Sequence, residues 1–224
     1  MTRDDPVDES ATSDGGGPRD LADVADLDLA EWVDLGSLLV PPNAGVDLQA
    51  QADPATGAIS ELSLAVAGGA VRVQPFAGPR SPGMWDDVRS QLTDSLASGG
   101  VRTTPGHGPF GPELVGQLPT PDGKGEPARF AGIDGPRWFL RLIYLGAATK
   151  PGATADRLTS AVRSLVVVRG SDAMPVGAPL ALTLPASVAG PDAGSGDGSP
   201  DGAERSDRPR LTLPARGPEI TEIR

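Results

Sequence analysis

The 224-residue chain has no cysteine and only one histidine. Without cysteine it cannot form disulfides, zinc–thiolate sites, iron–sulfur clusters or thiol nucleophiles. With one histidine, His107, it lacks an intramolecular His pair for a metal, and a Ser–His–Asp relay would have to use that residue. His107 stands between two glycines in a Gly/Pro-rich stretch, so we interpret it as a loop residue without a catalytic role.

Long apolar runs are also missing. No stretch approaches the roughly 20 apolar residues of a membrane-spanning helix, and the opening residues Met1–Pro6 lack the apolar core of a secretory signal. We therefore expect a cytoplasmic protein that does not enter a membrane.

Motifs for phosphate binding and acid–base catalysis are weak or absent. Gly106–Gly111 has the spacing of a dinucleotide-binding loop, but Pro112 follows where such a loop requires a helix. Asp86 and Asp87 are adjacent at a predicted helix start, where their side chains diverge by about 100°. We predict no catalytic residue, no metal and no cofactor, which favours a protein that is not an enzyme.

Negative charge is concentrated at the start of the chain. Residues 1–34 carry 11 acidic and 2 basic side chains, whereas residues 35–185 carry 12 of each. An acidic chain repels phosphate backbones, so nucleic-acid binding is disfavoured.

Composition divides the chain into five segments. Residues 1–20 are predicted to be a disordered acidic tail, because they cannot bury enough apolar surface to offset the entropy of ordering. Residues 21–34 form an acidic lead-in whose apolar residues approximate helical spacing, which leaves open a short docked helix or a partly ordered segment. We expect a single domain over residues 35–185, a disordered linker over 186–210, and a short strand-like segment over 211–224 that could add to a sheet edge.

Within the predicted domain, hydrophobic periodicity alternates between strands and helices. Strands are predicted at 35–40, 46–52, 59–66, 70–77, 101–104, 113–118, 128–133, 138–145 and 165–169, and helices at 84–97 and 155–164, with a loop over 106–112. Pro75 indicates an edge position or a bulge. This order predicts an α+β fold, an antiparallel sheet with about two helices, similar to the α/β/α sandwich of the Mog1/PsbP type.

The stretch Gly132–Arg141 places arginines and aromatic residues in one strand after an Asp-Gly turn. Side chains alternate along a strand, so one face would carry Trp138, Leu140, Leu142 and Tyr144 and the other Arg137, Phe139, Arg141 and Ile143. Arg137 and Arg141 would then lie about 13 Å apart.

The neighbouring strand could add Arg129 to this surface. Guanidinium groups beside an aromatic ring suit an anion or a peptide. The candidate binding residues are therefore Arg129, Arg137, Phe139 and Arg141. Alternatively, these arginines pair with Asp134, Glu113 or the acidic tail, or simply face solvent.

Several segments in this order resemble an uncharacterised actinobacterial family known as DUF3710, a domain of unknown function. They are Phe76–Arg80, Trp85–Arg89, Gly108–Leu114, Arg129–Arg141, Val166–Gly170 and the closing Gly217–Arg224. The resemblance implies a cytoplasmic actinobacterial protein, and it brings no activity, cofactor or catalytic residue.

The sequence favours a binding or adaptor module that uses an arginine-bearing sheet face and acidic tails to bind a protein partner. The alternative is an enzyme or ligand-binding protein that acts on a small anionic molecule. A third possibility is nucleic-acid binding with stacking on Trp85 or Trp138, which the acidic composition disfavours. The partner and the oligomeric state stay open.

Overall fold

The computed structural model describes residues 16–24, 28–42, 44–52, 58–118, 120 and 125–183. All of them belong to one compact unit, residues 1–190. The predicted linker at 186–210, the closing segment at 211–224 and residues 1–15 of the predicted tail lie outside the described residues.

Eleven strands and two α-helices make up the described part of the chain. In chain order they are β1 (Arg19–Asp20), β2 (Val33–Asp34), β3 (Leu38–Val40), β4 (Asp47–Ala52), β5 (Ile59–Val66), β6 (Gly69–Ala77), α1 (Met84–Ser98), β7 (Thr104–Gly108), β8 (Gly111–Leu118), β9 (Glu126–Gly135), β10 (Trp138–Gly146), α2 (Ala153–Arg163) and β11 (Val166–Val167). Short 3-10 helices occupy Leu21–Val24 and Ala147–Thr149.

Seven strands form one antiparallel sheet in the order β4-β5-β6-β10-β9-β8-β7. β10 lies at its centre and pairs along its length with β6 and β9. Eight of its nine residues are buried or half-buried, because both faces of this central strand are covered over most of its length. The predicted α+β fold is confirmed.

One helix packs on each face of the large sheet. Even-numbered residues of β10 from Trp138 to Tyr144 face α2, which buries Leu158, Ala161 and Val162 at helical spacing. Odd-numbered residues, beginning with Phe139, face α1. α1 packs on β8 and β9, so it covers one half of its face.

The short strands form a second sheet in the order β1-β11-β3-β2, on the α2 side of the large sheet. Leu38 and Val167 point into the main core, whereas Leu39 and Val166 point outward. Val24 covers the outward side together with half-buried Trp32. The acidic lead-in thus docks on the core in its described part, through a 3-10 turn rather than an amphipathic α-helix.

Two predictions need correction. Arg19–Asp20 lies in the segment predicted to be disordered, yet it forms β1 and pairs in parallel with β11, because the edge of β11 offers free backbone groups. The loop predicted over residues 106–112 is a hairpin in which His107 pairs with Pro112. Two-residue turns make such hairpins possible even when glycine and proline flank them.

Pro75 lies at a local edge of the regular sheet, which is one of the two positions, edge or bulge, that the sequence predicts. β5 pairs with β6 only as far as Val73, and beyond that point an irregular arm runs beside β6. Leu180 N donates to Pro75 O at 2.9 Å and Ala77 N donates to Ala178 O at 2.8 Å. The missing N–H of Pro75 therefore interrupts no regular ladder with β5.

Candidate functional site

The turn between β9 and β10 consists of Pro136 and Arg137. Asp134 and Gly135, predicted to form the turn, are instead the last two residues of β9. Arg137 has φ +64°, and it is the only non-glycine residue with a positive φ in the described part of the chain. Residues with a Cβ atom rarely adopt this left-handed conformation.

The backbone carbonyl of Arg137 is held by two donors. Gly78 N donates to it at 2.8 Å, and Arg169 Nε donates at 3.0 Å. Arg169 Nη1 also donates to the carbonyl of Asp172 at 3.2 Å. The unusual turn is thereby fixed to β6 and to the segment after β11.

The structure does not bring the four predicted binding residues together. Phe139 and Arg141 lie on the α1 face, as their parity in the strand predicts. Arg137 lies in the exposed turn rather than on the sheet face. Arg129 is opposite Tyr144, so it lies on the α2 face.

Arg129 is buried in an ion pair. Its Nη1 donates to Glu113 Oε2 at 3.1 Å, and its Nη2 donates to Ala148 O at 3.2 Å. The guanidinium lies 4.2 Å from the centre of the Tyr144 ring. Pairing with Glu113 was the alternative interpretation of this arginine, and the geometry agrees with that alternative.

Burial raises the pKa of Glu113, and this effect exceeds the lowering by Arg129 and His107. Gly108 makes room for the carboxylate, because a Cβ at that position would overlap it. Burial also raises the pKa of Tyr144, whose hydroxyl lies 3.4 Å from Thr159 Oγ1. This group of side chains is enclosed, so we assign it to the stability of the fold.

Phe139 is 1% exposed and stacks on Trp85, with ring centroids 6.2 Å apart. Trp85 Nε1 donates to Pro112 O at 2.6 Å, which ties α1 to the β8 hairpin. Asp134 Oδ2 accepts from Gly83 N at 3.2 Å, at the N-terminus of α1. Phe139 is therefore part of the core.

Arg141 lies where the α1 face is open. Its neighbours across the strands are Gln74 and Gly132, and its Nε donates to Gln74 Oε1 at 2.8 Å, with Nη2 donating to the same oxygen. The guanidinium lies 5.4 Å from the centre of the Phe76 ring. Burial lowers the pKa of Arg141, partly offset by Glu61.

Two adjoining surface grooves, of about 640 and 520 Å³, border the N-terminal segment and share Asp20, Asp23 and Pro136. Asp20 Oδ2 accepts from Trp138 Nε1 at 2.9 Å. Arg163 lines the larger groove, and Arg169 the smaller one.

Sequence reasoning missed this region. It treated residues 16–20 as disordered and read Arg169 only as the end of a strand. The contact between Asp20 and Trp138 joins residues 118 positions apart in the chain, and periodicity carries no signal for such a pair.

Within the described ranges, no cluster of three or more His, Cys, Asp or Glu side chains has a geometry that would hold a metal ion. Neither of the two described α-helices is long and apolar enough to cross a bilayer.

The fold and these surfaces define an α+β domain of three layers, with arginines at two separate surfaces. The chain belongs to the family described as a protein of unknown function, DUF3710, whose sequence profile matches residues 17–190. No curated protein and no solved structure is significantly similar to the chain. The likeness to the Mog1/PsbP sandwich thus stays a prediction.

Proposed function

We propose that the protein is a non-enzymatic, cytoplasmic binding module that takes an acidic segment of a partner protein on the open half of the α1 face. The docking surface consists of Glu61, Ser63, Arg72, Gln74, Phe76 and Arg141, on β5, β6 and β10. The main observation behind the proposal is that Arg141 is half-buried and that its guanidinium donates to the neutral side-chain amide of Gln74.

Arg141 is the anchor of this surface because its charge is only weakly compensated. Its fork donates twice to Gln74 Oε1 rather than to a carboxylate, and no carboxylate of the described residues forms an ion pair with it. A guanidinium fork binds a carboxylate in a bidentate manner more strongly than it binds an amide oxygen. An acidic side chain of a partner would therefore replace Gln74.

The surroundings of Arg141 favour a peptide. Arg72 lies on β6, the strand next to β10, and forms a long ion pair with Glu61, in which Nε and Oε1 are 3.6 Å apart. Phe76 is half-buried beside Arg141 and supplies apolar contact. Two arginines on neighbouring strands, with an aromatic ring beside one of them, suit an extended peptide that alternates acidic and apolar residues.

A direct binding experiment tests this proposal. The probe is a fluorescein-labelled peptide of residues 1–15 of this chain, which carries five of its acidic side chains, titrated into a protein that lacks residues 2–15. We expect saturable binding that weakens with salt, and Arg141→Ala should weaken it about tenfold, or 1.4 kcal/mol. Fluorescence anisotropy provides the measurement.

Arg102→Ala is the matched control, because Arg102 is exposed and lies before β7, away from this surface. Equal affinity for the Arg141→Ala and Arg102→Ala proteins would contradict the proposal. The deletion stops at residue 15 because Pro18 and Val24 are buried parts of the fold.

The acidic N-terminal tail is expected to compete with the partner for the same surface. Deleting residues 2–15 should then strengthen binding of the same peptide in trans, relative to the full chain. If the full chain and the shortened chain bind the peptide equally, the tail does not compete.

A further inference from the structure

The second arginine surface lies at the β9–β10 turn, and its most telling feature is the backbone of Arg137. The two-residue turn requires φ +64° at this position, where glycine is the residue without a steric penalty. An arginine here keeps a strained conformation. Strain of this kind collects at functional sites, where the side chain is needed despite its backbone cost.

Arg169 lies beside Arg137 and fixes it. Its Nε donates to Arg137 O and its Nη1 to Asp172 O, both neutral carbonyls. No carboxylate of the described residues forms an ion pair with either arginine. The two guanidinium groups therefore present positive charge that the described carboxylates do not neutralise through ion pairs.

Both arginines line the smaller groove, whose volume is about 520 Å³. This volume falls within the range of about 300–1,000 Å³ that is usual for small-molecule sites. Much of the remaining lining is apolar: Leu21, Ala22 and Val168. Leu21 is 37% exposed, one of three exposed large hydrophobic residues in the described part of the chain.

The lining also includes two acidic residues, Asp20 and Asp23, which flank Leu21 and Ala22 in the chain. Asp20 uses both carboxylate oxygens inside the protein: Oδ1 accepts from Ala22 N and Oδ2 from Trp138 Nε1. Both oxygens of Asp20 therefore already accept hydrogen bonds from donors within the protein. The groove lining thus combines apolar residues with two arginines, which the contact between Arg169 and the Arg137 carbonyl brings close together, and with two aspartates.

We propose that this groove binds a small molecule that has an apolar body and a carboxylate head. The carboxylate meets Arg137 and Arg169, and the apolar body lies against Leu21 and Val168. The site is separate from the docking surface around Arg141, so each proposal can fail without the other. Arg137 keeps its strained backbone because its side chain supplies half of the anion contact.

Octanoate is the probe, with octanol and octylammonium as controls of the same length and different heads. Saturation-transfer NMR on the full chain should show contact with octanoate and little with octylammonium. Arg137→Gly should weaken octanoate binding about tenfold, or 1.4 kcal/mol. The same variant should raise the melting temperature by about 2–4 °C, because glycine relieves the turn.

Arg137→Lys keeps the charge and the strain, so it should retain most of the binding without the gain in melting temperature. Opposite shifts in binding and stability for Arg137→Gly are the signature of the proposed site. Octanoate binding that is absent in the full chain, equal for Arg137→Gly, or matched by octanol would overturn the proposal.

Discussion

Arg129→Met will lower the free energy of unfolding by about 3–5 kcal/mol at neutral pH, because it leaves the carboxylate of Glu113 buried without its partner. Both side chains are at most 10% exposed, so water cannot replace the lost contact. The variant also removes the hydrogen bond to Ala148 O and the contact with the Tyr144 ring. Urea unfolding at pH 7 measures the loss.

The loss depends on pH in a direction that the structure sets. The pKa of Glu113 is already raised by burial, so its protonated form favours the folded state, and that contribution is lost as pH rises through the folded pKa. Without Arg129 the pKa rises further. The deficit of Arg129→Met should therefore be smallest near pH 4, where only the contacts with Ala148 O and the Tyr144 ring are lost, and grow as the pH increases to 7.

Two further variants distinguish the contribution of the ion pair to stability from the contribution of side-chain packing. Glu113→Met/Arg129→Met removes both charges and should recover much of the loss, since apolar replacement of a buried pair is often neutral. Glu113→Gln alone should cost less than Arg129→Met, because the amide oxygen of glutamine can still accept the hydrogen bond from Arg129 Nη1. A pH-independent deficit for Arg129→Met, or a double variant no better than the single one, would show that Glu113 stays neutral in the folded protein.

Periodicity predicted the elements whose neighbours are close in sequence. β5 and β10 lie within a residue of the predicted bounds, as does α1, because alternation and helical spacing report directly on which side chains are buried. Parity along β10 correctly placed Phe139 and Arg141 on one face. The same parity places Arg129 on the opposite face: a two-residue turn at Asp134-Gly135 would pair Arg129 with Leu140, and the observed turn, two residues later, pairs it with Tyr144. Both partners lie on the α2 face, so the suggestion that Arg129 joins Arg141 was wrong for either turn.

The candidate site could be predicted less well from the sequence than the fold. Residues 16–20 look disordered because they are polar and glycine-rich, yet β11 supplies an edge and Trp138 supplies a donor for Asp20. These contacts come from residues more than a hundred positions away. The backbone of Arg137 had one local signal, the preceding Pro136. Proline at the first central position is compatible with a type II turn, whose second central position favours glycine.

Gly132→Ala will cost about 2–3 kcal/mol, although it adds a single methyl group. Gly132 lies in the middle of β9, and a Cβ there would overlap the indole of Trp85, with the Cγ atom 2.7 Å away. Trp85 cannot retreat freely, because its Nε1 donates to Pro112 O and its ring stacks on Phe139. The glycine thus lets α1 approach the sheet closely. Thermal and urea unfolding measure the effect, and Gly99→Ala is the matched control, since a Cβ at Gly99 comes no nearer than 3.4 Å to any atom.

A double-mutant cycle decides whether the cost of Gly132→Ala comes from Trp85. Trp85→Ala alone should cost about 3–5 kcal/mol, because it empties the space between α1 and the sheet. In the Trp85→Ala background the overlap is gone, and the new methyl group fills part of that space. Gly132→Ala should then be neutral or slightly stabilising, which gives a coupling of about 2 kcal/mol or more. Additive costs would instead locate the penalty in the backbone of β9. Such a coupling would show that Gly132 is required for the close packing of Trp85, and with it α1, on β9.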